Sequence, residues 1–417
     1  MAHPFRRLSP ITVYLVLEFA AALFFSLIFT VNLIYHVTVV GLSPLQLVLV
    51  GTILEATAFA FEIPTGILAD VKSRKLSIII GYLLTGVAFV VEGSFATFAA
   101  VALSQVIWGI GYTFTSGATQ AWIADEVGED RVGPAFMRGS QAARAGGLLA
   151  IPLSVVVGII NVRLPIVIGG LLFLALAGFL ALAMGEEGFR PAPPGERSTW
   201  RMMAGTVGDA RRLVARQPVL LALLGIGLFY GLYSEGFDRL WTAHLLENYP
   251  APFGGRLEPV VWFGALRAVD AVLGLAVVEW ARRRLDTGRA RSLARVLMAS
   301  ATLIVAGLAL FGLARAFWLA VACFILASTM RSLVTPLQDI WINRRIDDPQ
   351  VRATLFSVTG QVDALGQIAG GPLVGAIGNV SIRAALVTSA ALLLPAVPLY
   401  GVALRRSGDE VPSGSPP

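Results

Sequence analysis

The chain has 417 residues, of which 56% are hydrophobic and only 14% are charged. Soluble domains carry about 25% charged residues, and here apolar stretches of about 20 residues recur along the whole length, which argues against a water-soluble core. The net charge of +6 comes from basic residues in short stretches between apolar runs. Because no basic face alternates with aromatic residues, a nucleic-acid groove is excluded. The composition predicts a helical protein that crosses the membrane many times.

Twelve apolar segments are each long enough to cross about 30 Å of hydrocarbon. The first follows Arg6 and Arg7 and has no small-residue cleavage site after a short apolar core, so we expect a retained helix and not a signal peptide. An even number of spans places both termini on the same side of the membrane. The predicted spans are residues 12–36, 44–69, 76–94, 97–124, 138–160, 163–184, 218–244, 258–281, 293–314, 316–343, 354–378 and 382–404.

The distribution of positive charge predicts the orientation of the chain. The two tails and the loops on their side hold most of the 32 lysines and arginines, whereas the opposite loops hold only Arg163, Arg256, Arg315 and Arg383. Cytoplasmic loops carry an excess of Lys and Arg. We therefore expect a multi-pass protein of the plasma or inner membrane with both termini in the cytoplasm.

The longest connection between spans divides the chain into two halves. It contains Pro191, Pro193 and Pro194, followed by the basic stretch RMMAGTVGDARRLVAR, which predicts a cytoplasmic tether with an amphipathic interfacial helix. The predicted organisation is a six-helix bundle at 1–187, the linker at 188–217, a second six-helix bundle at 218–406 and a disordered cytoplasmic tail at 407–417.

The two halves also resemble each other in sequence. FMRGSQAARAGGLLAIPLSVVVG at 136–158 aligns without gaps with FSVTGQVDALGQIAGGPLVGAIG at 356–378. Repeated halves joined by a central loop are typical of secondary transporters that rock between two states. The predicted fold class is an all-α polytopic membrane protein with 12 transmembrane helices in two pseudo-symmetric halves of six. The identities are Phe136/Phe356, Gln141/Gln361, Gly146/Gly366, Pro152/Pro372, Leu153/Leu373 and Gly158/Gly378.

The decapeptide GILADVKSRK, residues 66–75, places four charges between two apolar runs. It resembles the G-x-L-a-D-r-x-G-R-[RK] signature of the major facilitator superfamily, with Ser73 where the second glycine is usual, and the whole chain resembles that superfamily. The resemblance implies a gate in which the Asp bonds to neighbouring helices and locks the outward-facing state. The glycine would allow close helix packing, and the carboxylate needs a partner because the dipole disfavours it at a helix C-terminal end. The predicted gating residues are Gly66, Asp70, Arg74 and Lys75.

Two further motifs resemble those of efflux-type facilitators, the group that includes macrolide and tetracycline exporters. They are SGATQAWIADEV at 116–127 and SEGFDRLWTAHL at 234–245. Two departures from the efflux pattern weaken the case for drug–proton antiport. Gln105 stands where these families usually carry a buried Arg in the fourth helix. The Gly-Pro signature of the fifth helix is degenerate, AGGLLAIP, and a better version, GQIAGGPLVG, lies in the eleventh.

Carboxyl groups inside the spans are candidates for proton carriage, because a charge in mid-membrane costs at least about 2.5 kcal/mol and is seldom kept without a function. Glu18, Glu55 and Glu62 have no cation in their own helices. An acid held away from water and from cations favours its neutral, protonated form. We expect the coupling proton on Glu18, Glu55, Glu62 or Asp363, with the first two favoured by depth. A hydrated or backbone-bonded role is the alternative for Glu62.

Arginines inside the spans of the second half lie beside acids. Asp238 adjoins Arg239, with Glu235 one turn earlier, and Arg267 and Asp270 share a helix face. These groups can be structural ion pairs or substrate contacts, and aromatic side chains can line an apolar pocket. The predicted substrate cavity comprises Phe25, Gln105, Tyr112, Phe229, Tyr233, Glu235, Asp238, Arg239, Arg267, Asp270 and Arg331.

The predicted function is rocker-switch secondary transport, specifically proton-coupled efflux of amphipathic or cationic small molecules. An alternative within transport is a proton-coupled symporter or exchanger of an organic anion or other metabolite, in which Arg239, Arg267 or Arg331 would bind the anion. The alternative of another class is a membrane enzyme or a receptor, for which the sequence offers no metal cluster, nucleophile motif or sizeable extramembrane domain. The expected partners are a small-molecule substrate, protons and the lipid bilayer. We expect a monomer with no nucleic acid, metal or cofactor.

Overall fold

The computed structural model of the chain describes residues 8–191, 218–286, 290–345 and 349–406. Residues 192–217 of the predicted linker, with its amphipathic helix, and the predicted tail at 407–417 lie outside these ranges. The first helices are α1 (Pro10–Phe29), α2 (Asn32–Tyr35), a π-helix (His36–Val40), α3 (Pro44–Val71), α4 (Arg74–Ser94), α5 (Phe98–Thr115), α6 (Ala118–Val127), α7 (Glu129–Ile160) and α8 (Leu164–Ala183). The remaining helices are α9 (Pro218–Glu247), a 3-10 turn (Pro252–Gly255), α10 (Pro259–Arg284), α11 (Ala290–Leu313), α12 (Phe317–Arg345), α13 (Pro349–Val380), α14 (Ile382–Leu393) and α15 (Ala396–Arg406).

Ten helical stretches within the described residues are long and apolar enough to cross a membrane. They match ten of the predicted spans. The other two predicted spans, 218–244 and 354–378, coincide with the long helices α9 and α13, which are not among the ten. The all-helical, multi-pass class is confirmed, while the count of twelve helices in two halves stays a prediction.

Besides the segment predicted at 12–36, which runs through α1, α2 and the first residue of the π-helix, two predicted spans are each built from two helices. The segment predicted at 97–124 is interrupted between α5 and α6, where Gly117 adopts a left-handed backbone with φ of 70° that an L-residue helix does not accommodate. The segment predicted at 382–404 is interrupted between α14 and α15, next to Pro395, which has no N–H to continue the helix. The sequence pattern missed both breaks because hydropathy continues across them.

Polar side chains fix the starts of several helices. Ser9, Ser73, Thr97 and Ser381 each accept a hydrogen bond from the backbone N–H three residues further on. These N-caps satisfy one of the backbone donors that a helix leaves free at its beginning. The short loops before α1, α4, α5 and α14 therefore define where each of these helices enters.

The helices pack into two compact units. Within the described ranges, unit 1 contains residues 8–42, 53–191 and 256–268. Unit 2 contains the remaining described residues, 43–52, 218–255, 269–286, 290–345 and 349–406. Helices α3 and α10 each contribute one part to unit 1 and one part to unit 2.

The same helix pairing recurs inside each unit. In unit 1, α1 packs on α7 and α4 packs on α5 and α8; in unit 2, α9 packs on α13 and α11 packs on α12 and α14. A methyl group added at Gly146 of α7 would overlap the carbonyl oxygen of Phe19, and one at Gly366 of α13 would overlap that of Leu228. Small residues let helix backbones approach closely in membranes. The glycines that repeat in the sequence therefore mark equivalent helix contacts.

Candidate functional site

The first candidate site is the segment that joins α3 to α4. Gly66 does not mediate close helix packing there, contrary to the expectation from the sequence, since a methyl group at this position would meet no heavy atom within 4 Å. Asp70, the residue before the last of α3, is half-buried. The charged and polar residues of the motif, and not its glycine, therefore carry its structural contacts.

Ser73, the departure from the superfamily signature, ties the start of α4 to the segment after α8. Its hydroxyl accepts from the N–H of Leu76 at 2.9 Å and donates to the carboxylate of Glu186 at 2.6 Å. The other oxygen of Glu186 accepts from the backbone N–H of Lys75 at 2.9 Å, and the Lys75 ammonium donates to the carbonyl of Met184 at 2.6 Å. The helix dipole stabilises a carboxylate at a helix N-terminus, so Glu186 is well placed here.

Arg74 links the same motif to α6. Its guanidinium donates to the carbonyl of Ala121 at 2.7 Å, forms an ion pair with Asp125 and lies 5.9 Å from the ring centroid of Phe189. Asp125 belongs to SGATQAWIADEV. The two superfamily-like motifs of the first half therefore meet in one cluster.

Helix α6 also holds the segment that follows α8. The indole N–H of Trp122 donates to the carbonyl of Gly185 at 2.8 Å. The carboxylate of Glu126 accepts from the backbone N–H groups of Glu187 and Gly188, each at 2.7 Å. The partners of the two acids of this motif could not be read from the sequence, because the partner of Asp125 lies 51 residues earlier in the chain and those of Glu126 lie 61 and 62 residues later.

The predicted proton acids of unit 1 differ in their surroundings. Glu18 on α1 is half-buried and hydrogen-bonded to Tyr14. On α3, Glu55 is half-buried and Glu62 is exposed. Tyr112 of α5, a predicted cavity residue, is exposed and lies close enough to Glu55 and Glu62 to interact with both electrostatically. Unit 1 thus brings Tyr112 together with the two acids of α3.

Phe25, another predicted cavity residue, belongs to an aromatic cluster of unit 1. Its ring centroid lies 4.6 Å from that of Phe173, 5.8 Å from that of Phe29 and 6.0 Å from that of Trp108. Such offset and tilted pairs add to the stabilisation from burial. The cluster gives unit 1 an apolar, aromatic interior at the level of Phe25.

A fully buried acid of unit 1, Glu92, was missed by the sequence analysis. Its carboxylate accepts from the amide of Asn32, from the hydroxyl of Ser104 at 2.6 Å and from the amide of Gln105 at 2.9 Å, and it lies 3.0 Å from His36 Nε2. Gln105 is only 2% exposed, so this conformation holds it in the Glu92 network and not at a cavity wall. In sequence, a single Glu near the end of an apolar run looks like an ordinary interfacial residue.

Unit 2 contains two ion pairs that differ in their exposure. Glu235 and Arg239 of α9 form an ion pair at 3.3 Å, and their side chains are 4% and 16% exposed. Glu235 also packs closely against Gly51 of α3, since a methyl group added at Gly51 would overlap the Glu235 carboxylate. Asp238 of α9 pairs with Arg331 of α12 through two hydrogen bonds, and these side chains are 43% and 34% exposed. Asp238 is thus paired across helices and not with the adjacent Arg239, because residues i and i+1 point to different helix faces.

Aromatic rings and a further acid surround the Asp238–Arg331 pair. The Arg331 guanidinium lies 5.6 Å from the ring centroid of Tyr233 and 5.9 Å from that of Phe237. Tyr233 is fully buried, and its hydroxyl has no hydrogen-bond partner in the part of the chain that the structure describes. Asp363 of α13 accepts from Gln367 at 2.8 Å and interacts electrostatically with Arg331.

The remaining predicted cavity residues are Arg267, Asp270 and Phe229. Arg267 belongs to unit 1, where its guanidinium donates to the carbonyl of Phe29 at 3.2 Å. Asp270 belongs to unit 2, where its carboxylate accepts from the hydroxyl of Ser328 at 2.9 Å. Ser328 lies one turn before Arg331 on α12. Phe229 is half-buried on α9.

Comparison with known proteins identifies the family. The family model of the Major Facilitator Superfamily matches residues 14–371. The uncharacterized MFS-type transporter YxaM of Bacillus subtilis (strain 168) is 21% identical over 360 residues, which are 86% of this chain and 87% of that protein.

Solved structures share the fold. The nucleoside transporter NupG has a TM-score of 0.72 at 15% identity, over 95% of this chain and 100% of that chain. A bacterial homolog of the human lysosomal transporter Spinster, inward-facing and unoccupied, has a TM-score of 0.70 at 16% identity, over 95% of this chain and 96% of that chain. Because the family model covers most of the sequence, the chain belongs to the Major Facilitator Superfamily and is a multi-pass membrane transporter of small molecules.

Proposed function

We propose that the protein is a proton-coupled exporter of amphipathic, cationic small molecules that works by alternating access. The observation that most supports this is a set of acids that form no ion pair. Arg239 and Arg331 are each matched by an acid. In contrast, Glu18, Glu62 and Asp363 form no ion pair within the described residues, and Asp363 interacts with Arg331 only electrostatically. Carboxyl groups without an ion-pair partner in a membrane protein attract a cationic substrate or a proton.

Competition for one carboxyl group provides the coupling. A carboxyl group in a medium of low dielectric is stable when it carries a proton or when it contacts a substrate cation, and the two exclude each other at the same oxygen. Substrate binding then releases the proton, and by linkage protonation weakens substrate binding to the same extent. Glu18 suits this role because its partner, Tyr14, carries no positive charge.

Proton release tests the proposal. Tetraphenylphosphonium, whose charge is permanent, is added to weakly buffered, detergent-solubilised protein while pH is recorded. We expect the wild type to release protons and Glu18→Gln or Asp363→Asn to release fewer. Glu279→Gln is the matched control, because Glu279 is held by the exposed Arg282 and Arg283 at the end of α10. Binding of the cation without any proton release from the wild type would overturn proton coupling.

A second function, exchange of an organic anion, is supported by one specific observation. Arg144 of α7 is exposed and forms no ion pair within the described ranges. If this arginine binds an anionic substrate, benzoate should raise the thermal unfolding midpoint of the wild type and should have no effect on Arg144→Gln. If benzoate has the same effect on both proteins, this second function is wrong.

A further inference from the structure

The Asp238–Arg331 pair differs from an ion pair that only holds helices together. The Glu235–Arg239 pair, one turn away on α9, is closed: its side chains are 4% and 16% exposed and it is packed against α3. The Asp238–Arg331 pair is 43% and 34% exposed. A molecule that reaches unit 2 can therefore approach the second pair but not the first.

Buried aromatic rings hold the Arg331 guanidinium of this open pair in place. Tyr233 and Phe237, which are 0% and 4% exposed, have ring centroids 5.6 and 5.9 Å from it, and Trp241 and Phe324 stack with centroids 4.5 Å apart on the same two helices, α9 and α12. The protein therefore positions the guanidinium, and the exposed parts of Asp238 and Arg331 are what a ligand can reach.

The two charges restrict which ligand can open the pair. A ligand with only a cationic group could bind Asp238 only by taking from the Arg331 guanidinium both of its hydrogen bonds to a carboxylate, and Asp363, which interacts with Arg331 only electrostatically, does not replace them, so this loss opposes binding. A ligand with only an anionic group would leave Asp238 unpaired in the same way. A ligand with both groups replaces both halves of the pair, and the planar guanidinium fits a carboxylate through two parallel hydrogen bonds.

We propose that the substrates are zwitterionic amphipathic molecules, with an ammonium group that binds Asp238 and a carboxylate that binds Arg331, the two side chains that the pair leaves accessible. This rests on the proposed function in that the protein binds a small amphipathic molecule with a cationic group, and it narrows the class to those that also carry a carboxylate. The open ion pair then selects among ligands, since a ligand must supply both a carboxylate for Arg331 and a cation for Asp238 when it separates them.

Three probes that share one ring system test this. Naphthylalanine carries both charges, naphthylethylamine carries only the ammonium, and naphthylpropionate carries only the carboxylate. Isothermal titration on purified wild type should give naphthylalanine an affinity roughly tenfold or more above either of the other two, because a charged hydrogen bond is gained at each end. Equal affinities for the three probes, or no binding of naphthylalanine, would overturn the proposal.

Variants of the pair sharpen the test. Arg331→Gln should lose the preference for naphthylalanine and should bind naphthylethylamine more tightly than the wild type does, because Asp238 is freed. Asp238→Asn should shift preference toward naphthylpropionate. Arg331→Lys keeps the charge but not the two-pronged geometry, so it should retain a weakened preference, and it replaces Arg331→Gln if that variant does not fold. Glu279→Gln is the control, and a preference that survives unchanged in Arg331→Gln contradicts the proposal.

The same samples separate this inference from the proposed function. Proton release on addition of tetraphenylphosphonium, without any preference for naphthylalanine, would support the exporter and reject the zwitterion. A preference for naphthylalanine without proton release would support the zwitterion site and reject proton coupling.

Discussion

Arg74 and Asp125 form an ion pair that joins the first turn of α4 to the last turn of α6. The helix dipole disfavours both residues in their own helices, since Arg74 is a cation at the N-terminus of α4 and Asp125 is an anion near the C-terminus of α6. Pairing offsets both penalties. The pair therefore depends on the position of α6 relative to α4, which is what a gating contact requires.

We expect this pair to affect the rate of transport more than the binding of ligand. Arg74→Gln and Asp125→Asn should each slow transport in proteoliposomes while leaving the affinity for a stabilising ligand within about twofold, and Asp70→Asn should do the same if the motif gates the transporter. The exchanged variant Arg74→Asp/Asp125→Arg should recover part of the rate, because it restores attraction between α4 and α6. Normal turnover in all of the single variants would mean that the motif only sets the orientation of the chain in the membrane and does not gate transport.

Ser73 should stabilise the start of α4 more than the glycine of the superfamily signature would. Ser73→Gly removes the helix cap, which costs only a few tenths of a kcal/mol, and the hydrogen bond to Glu186, which costs about 1.5–3 kcal/mol because the acceptor is charged. We expect a loss of about 2 kcal/mol in the free energy of unfolding in detergent. Ser9→Gly is the control, since Ser9 caps α1 without a carboxylate partner. Equal losses in both variants would show that Glu186 contributes nothing.

The spans could be predicted from sequence because a helix in lipid must be apolar over its whole length. Their interruptions at Gly117 and beside Pro395 could not, since hydropathy does not register backbone conformation. The partner of Asp238 was also beyond prediction. Sequence shows which residues share one helix face, whereas the Asp238–Arg331 pair depends on how α9 and α12 pack.

The repeated glycines should be required for close helix contact in both units. Gly146→Ala and Gly366→Ala each introduce a methyl group that overlaps a backbone carbonyl, of Phe19 and Leu228 respectively. Overpacking of this kind costs about 1–3 kcal/mol. Gly147→Ala and Gly360→Ala are matched controls on the same two helices, because a methyl group at either position meets no heavy atom within 4 Å. These two variants should be neutral or stabilising, because alanine favours the helix over glycine by up to about 1 kcal/mol. Thermal unfolding that ranks the four variants otherwise would contradict the packing.

The Glu92 network should contribute more to stability than the acids of α1 and α3. Glu92→Gln replaces one carboxylate oxygen with an NH2 group, which cannot accept from Ser104 and Gln105 in one orientation or from Asn32 in the other. Either orientation leaves buried polar groups unsatisfied at about 1–3 kcal/mol each. Ser104→Ala removes one donor and should cost less. Glu62→Gln is the control, because Glu62 is exposed and forms no ion pair within the described residues. We expect the unfolding midpoint to fall in the order Glu62→Gln, Ser104→Ala, Glu92→Gln; an unchanged midpoint for Glu92→Gln would mean that the network is dispensable.

The orientation predicted from the distribution of charge can be tested by labelling. The segment between α9 and α10 has few basic residues and should lie outside the cell, whereas the segment after α8 adjoins a basic stretch and should lie in the cytoplasm. Ala251 and Arg190 are exposed in these two segments, and Cys323, the single native cysteine, is buried. In a Cys323→Ala background, Ala251→Cys should react with an impermeant maleimide on intact cells, and Arg190→Cys should react only after permeabilisation. The reverse pattern would contradict the predicted orientation and would place the cluster of Ser73, Arg74 and Glu186 at the outer side of the membrane.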